Sequence, residues 1–205
     1  MKEEGSSKDL VAEIQRSILI YLEKKSSSGR VSVFEMRGLM GQVVELSHLL
    51  QRDGHAPAEL QDFRVRFTEL MSRERNLAEM DVYLFDCLCY AQRGDLNGFE
   101  PACWMRSSAQ ILHDVCVDWN HPGSAAIREL FEEHIEEIDE TIRLVSWDAP
   151  PVPEEKIPDW VPESHWWWRA PMRKDMSPEE RDRRINYELY DAIDDLESKE
   201  SRRDD

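Results

Sequence analysis

The chain has 205 residues, 43 of them Asp or Glu and 26 Lys or Arg, which gives a formal net charge of −17 at neutral pH. That length makes one or two domains, and 40% hydrophobic with 9% aromatic residues is enough to bury a core and argues against wholesale disorder. The acidity disfavours nucleic acid and anionic membrane surfaces, which are bound through clustered Lys and Arg, and it favours solubility and basic partners.

The stretch Met1–Ser7 is polar and acidic, without the apolar core of a signal peptide, and the longest nearly uncharged apolar run, Ser17 to Leu22, is far short of the roughly 20 residues that span a bilayer. The expectation is a soluble, cytoplasmic protein. In that reducing compartment Cys87, Cys89, Cys103 and Cys116 read as buried thiols rather than disulfides.

Leu10, Val11, Ile14, Ile18 and Leu22 recur at helical spacing and predict a first amphipathic helix from Asp9, ended by Ser26 to Gly29. Ser32 and Glu35 have capping-box spacing and open a second helix to about Gln51, whose apolar face runs from Val33 to Leu50. Gly38 and Gly41 inside it mark an expected close helix crossing, since each costs helix propensity. From about Ala58, Leu60, Phe63, Phe67, Leu70 and Met71 predict a further helix. It either continues or kinks near Ser72 to Asn76, before a stretch through Leu77, Met80, Leu84 and Leu88 to Ala91, closed by Gly94 and Gly98.

Another helix spans about Pro101 to Trp119, with Trp104, Ile111, Leu112 and Val115 on its apolar side; His121 to Ser124 stop it and cap the next, which continues to about Trp147. Between Trp147 and Ser177 lie five of the seven tryptophans and six prolines, a density that prevents a helix and predicts an extended strap. Such a strap is expected to dock, because five exposed indoles would form an aggregation-prone patch. Ser177-Pro178-Glu179-Glu180 reads as the start of a last helix to about Ser198, with a frayed tail beyond.

The fold class is therefore all-α, an irregular bundle of six or seven helices. The parts are a bundle at 1–146, an extended Trp/Pro-rich strap at 147–177 packed on it, and an acidic C-terminal helix with its tail at 178–205.

The helix after residue 124 carries the most informative pattern. Glu129, Glu132, Glu133, Glu136, Glu137 and Glu140 gather on one side, opposite a stripe of Ile127, Phe131, Ile135, Ile138, Ile142 and Val145. Like charges at three- and four-residue spacing repel by a few tenths of a kcal/mol per pair. A face that keeps this repulsion is suited to a positive partner surface; the alternative is a solvated face on an acidic protein. Residues 121–205 hold 24 acids and 12 bases, against 19 and 14 in residues 1–120, so most of the excess is C-terminal. The last helix adds Asp191, Asp194 and Asp195. Two such helices make a surface that steers a basic protein.

In the run Pro162 to Pro171, the residues His165, Trp166, Trp167, Trp168 and Arg169 include the types most often found as interface anchors. Extended backbone would turn neighbouring rings to opposite sides, one sealing the core and one facing a partner; the alternative is that all three rings are structural.

Catalytic and metal patterns are weak. Cys87 and Cys89 lie about 200° apart around a helix, which is wrong for joint ligation. The spaced Cys and His motifs of zinc sites do not occur, and neither do Gly-rich phosphate loops or nucleophile elbows. His113-Asp114 is a possible metal-binding dipeptide without spaced partners, and His134 lacks the Glu-x-x-His spacing of di-iron bundles because position 131 is Phe. The expectation is a non-enzymatic protein with no cofactor and no metal.

The Pro162–Trp168 stretch, Pro-Glu-Ser-His-Trp-Trp-Trp, in a small acidic helical chain resembles the immunity proteins of bacterial polymorphic toxin systems. The similarity covers one short motif and a charge habit, in a class with many unrelated folds, so it transfers no residue roles. It implies tight binding to a cognate basic toxin domain acting in the cytoplasm, a nuclease for example, with its active site or substrate entry covered. A secretion chaperone or a helical adaptor or scaffold are the alternatives, and the first of these usually mixes helices with a sheet.

Overall fold

The computed structural model describes residues 4–25, 33–54, 60–94 and 99–171, with Ser177 and Glu179. Among these residues there are six α-helices and no strand: α1 Glu4–Lys25, α2 Val33–Asp53, α3 Gln61–Met71, α4 Glu74–Gln92, α5 Glu100–Ile111 and α6 Ser124–Val145. The chain is an all-α bundle, and no described helix is long and apolar enough to cross a membrane. The Ser32 capping position and the whole C-terminal helix, including Asp191, Asp194 and Asp195, lie outside the described residues.

The apolar stripes read from the sequence form one core. Ile18, Leu22, Met36, Phe67, Met80, Tyr83, Phe99 and Leu112 are fully or almost fully enclosed. Helix α4 is central: it packs against α6 on one side and α5 on another, while α1 covers α2 and α3. Gly54, in the left-handed region at φ 65°, follows the end of α2, where a side chain would be strained.

The α3–α4 junction is a break. Arg73 is extended, and Asn76 in the first turn of α4 donates its amide to the carbonyls of Leu70 (2.8 Å) and Leu22 (3.1 Å), satisfying the open C-terminal ends of two helices at once.

Several details differ from expectation. The helix before residue 119 gives way after Ile111 to a π-turn, Leu112–Cys116. Helix α3 holds this wide turn: Arg64 donates to the carbonyls of Asp114 and Val115, and the Thr68 hydroxyl accepts the Asp118 N–H. Ser124 does not cap α6; its hydroxyl donates back to the Trp119 carbonyl, and His121 Nδ1 takes the Gly123 N–H instead. Gly38 and Gly41 mark no close crossing, because a Cβ added at either would meet nothing within 4 Å.

The strap follows α6 and is docked, but it is not uniformly extended. It contains 3₁₀ turns at Ser146–Asp148, Glu154–Lys156 and Trp166–Arg169. Proline rules out a continued α-helix but not a single tighter turn. Trp167 and Trp168 are buried, Trp160 and Trp166 half-buried, and Trp147 is exposed at the end of α6.

Candidate partner-binding site

Helix α6 lays its apolar stripe on α4 and turns the rest outward. Ile127, Phe131, Ile138 and Ile142 are buried, with Ile135 and Val145 at the margin. Glu129, Glu132, Glu133, Glu136, Glu137 and Glu140 are all exposed, and none of the six makes an ion pair with a described residue. Some surface acids elsewhere have partners, Glu23 and Glu69 with Arg66, Asp86 with Arg37 and Glu100 with Lys156, while others, Glu13, Glu45 and Asp62 among them, stand alone among the described residues; α6 differs in gathering six such acids on one helix. His134 does not belong to the acidic face either, since its Nε2 pairs with Asp81 of α4 at 2.6 Å.

The acidic face has two parts. At about 100° per residue, Glu132, Glu136, Asp139 and Arg143 fall on the flank of α6 beside α5, while Glu129, Glu133, Glu137 and Glu140 lie further round toward solvent. That flank forms a cleft of about 500 Å³ with Gln110 and His113, floored by Phe131 and Ile135. Asp139 on this flank takes two hydrogen bonds, at 2.8 and 3.2 Å, from Arg106, which is buried in α5.

A polar chain continues from there. Arg106 donates to Gln110 (3.0 Å), Gln110 donates to both oxygens of Asp114 (3.1 Å each), and His113 Nδ1 lies 2.7 Å from the same carboxylate. Burial pushes the Asp114 carboxyl up, but the hydrogen bonds from His113 and Gln110 outweigh it and hold its pKa below the usual range. His113 and Asp114 thus engage each other, and no cluster of three or more potential metal ligands occurs among the described residues.

The tryptophan run reaches the same place from the other side. The hydroxyl of Ser107, enclosed in α5, receives the indole N–H groups of Trp167 (2.9 Å) and Trp168 (2.8 Å) and lies 2.9 Å from His165 Nδ1. An indole nitrogen only donates, and a hydroxyl has two acceptor sites and one proton. Both acceptor sites are used, so the Ser107 proton goes to His165 Nδ1 and the imidazole carries its own proton on Nε2. Burial first, and the Arg106 charge second, push the His165 pKa down to about 4 against an upward pull from Asp114.

His165 stacks on Trp167 at 4.5 Å, and Arg106 sits 4.3 Å from the centre of the Trp167 ring. Arg143 lies 4.6 Å from the centre of the Trp166 ring and joins the strap to the last turn of α6. Arg169 is exposed and pairs with Glu154 at 3.7 Å. With Trp167, Trp168 and His165 directed into the bundle, Trp166 and Arg169 are the members of the run that a partner reaches most readily. Helical spacing gave no sign of Ser107 or Arg106, because both are polar residues on a buried face.

No family model matches the chain, and no curated protein or solved structure matches it.

Proposed function

We propose that the protein is a non-enzymatic acidic binding protein of the immunity type, which neutralises a basic, cytoplasm-acting toxin domain, with a nuclease the best-fitting kind, by covering its cleft. The reading is carried by the row of six exposed glutamates on α6 that have no ion-pair partner among the described residues. Clustered like charge raises the energy of the free surface, and a positive partner relieves it while steering the encounter. A nuclease cleft built to hold phosphates offers such a surface. Asp139 and Arg106 fix the acidic helix to α5, so the face is presented with little reorganisation on binding.

The test is to capture the partner from the native cell, identify it, and measure its affinity for wild-type protein and for a variant with charge reversal at Glu133, Glu136 and Glu140. We expect a basic protein whose toxicity is suppressed, with binding that weakens as salt rises and falls at least tenfold in the variant. Unchanged affinity in a variant shown by circular dichroism to be folded would overturn the reading. A non-toxic partner bound with the same salt dependence would favour an adaptor.

A further inference from the structure

The cleft beside α6 does not end at Gln110. A second cleft of about 300 Å³ shares Gln110 with it and lies between the strap, the π-turn and the end of α2; a third, of about 390 Å³, shares Ser47, Gln51, Asp114 and Val115 with the second and reaches Leu60. Through these shared residues the three adjoin as one trough lined by α2, α3, α5, the π-turn, α6 and the strap.

Its chemistry changes along its length. The α6 end is acidic over an apolar floor, through Glu132 and Glu136 above Phe131 and Ile135. The middle is mixed, with Ser47, Gln51, Ser164 and His165 among Ile111 and Pro162 and the Asp114 carboxylate, already bonded to Gln110 and His113, in its wall; Arg64 lines the third cleft with Asp114. Two side chains there belong to residues more than nine-tenths buried and keep a polar atom that no described residue bonds. His165 is 4% exposed and, with Nδ1 committed to Ser107, holds Nε2–H as a donor with no partner among the described residues; Ser47 is 3% exposed and its hydroxyl has no hydrogen bond to them either. A neutral donor and a hydroxyl lining a groove match the alternating N–H and C=O groups of a peptide backbone, whereas paired carboxylates match a cationic side chain.

We infer that the trough binds an extended segment of a basic protein, with Lys or Arg side chains against Glu132 and Glu136 and the following backbone laid over the π-turn to His165 and Ser47. The inference rests on the acidic-face reading above and adds which flank of α6 is used and what form the partner's contact takes. Charge complementarity selects the occupant: the charges facing the trough at its α6 end are Glu132, Glu136 and the Asp139–Arg106 pair, with Arg143 at the margin.

The test uses an acetylated, amidated octapeptide with alternating Arg and Ala in its first half and Ala with Gly in its second. Nuclear magnetic resonance of the full-length protein is recorded during titration. We expect shifts concentrated at Gln110, Asp114 and the His165 Nε2–H signal, and affinity reduced at least tenfold by E132Q/E136Q. The reduction should be severalfold less with E133Q/E140Q and within twofold with E13Q/D62N. N-methylation of the peptide backbone in its second half should weaken binding at least fivefold. Equal losses from E132Q/E136Q and E133Q/E140Q, or no response at His165, would overturn the trough while leaving the acidic face in place. The acidic face itself is judged separately, by charge reversal with the captured partner.

Discussion

The imidazole Nδ1 of His165 lies 2.9 Å from the hydroxyl of Ser107, which already accepts hydrogen bonds from the indoles of Trp167 and Trp168. A proton added to this imidazole would sit on Nδ1 and face an oxygen with no lone pair left. The folded-state pKa of about 4 lies below the ordinary 6.5, so on acidification the unfolded chain takes up the proton first. The contribution of His165 to stability is therefore complete above about pH 6.5 and is lost as pH falls from there to about 4, by roughly 2–3 kcal/mol. Urea unfolding at pH 7.5 and 4.5 measures this. His165→Asn keeps an acceptor without a titrating ring, and its loss between the two pH values should be smaller than that of wild type by about that amount; equal losses would contradict the assignment.

Removing the hydroxyl affects three groups at once. Ser107→Ala leaves two indole N–H groups without an acceptor and His165 Nδ1 without its donor. With each buried unsatisfied group costing about 1–3 kcal/mol and some relief from strap movement, the expected destabilisation is about 2–4 kcal/mol. A red-shifted tryptophan emission before global unfolding would report the strap leaving the bundle.

The Arg106–Asp139 pair should behave as a buried ion pair. Arg106→Met strands the Asp139 carboxylate and should cost about 3–5 kcal/mol, and Asp139→Leu should act in the same direction. The double substitution strands neither charge, so its cost should fall well below the sum of the two, by more than 1 kcal/mol in a double-mutant cycle. Additive costs would show that the two side chains are not coupled.

Glycine substitutions should differ in sign. Gly38→Ala and Gly41→Ala place a methyl in open space on α2 and should each stabilise by about 0.5–1 kcal/mol. Gly94→Ala drives a methyl into the buried ring of Phe99 and should destabilise by about 1–3 kcal/mol. Thermal unfolding of the three variants measures both effects.

Most of the helices were legible because their apolar residues repeat at three and four positions, and on α6 a clean division between apolar and acidic sides made both the buried stripe and the exposed glutamates readable. The π-turn was not, because its cause is Arg64, some fifty residues earlier on another helix. Ser107 was equally silent: a small hydroxyl on a buried face becomes informative only when three side chains from 58 to 61 positions further along converge on it. Asp139 stands among the glutamates of α6, and nothing in the spacing shows that a buried arginine on another helix claims it. The glycines of α2 were read for packing, but their surroundings are open.

The link from Ser107 to His165 closes a chain loop of 58 positions, and α6 lies inside it. Closing so long a loop costs configurational entropy that only contacts formed late can repay. With Asp139 bonded to Arg106 and Arg143 set against Trp166, α6 is joined to both α5 and the strap. Amide exchange along α6 should therefore slow and quicken together with that of the Trp166–Arg169 turn, as one cooperative unit. The acidic helix acts as an inserted member clamped at both ends, which suits a surface that must hold its charges in register while a partner docks.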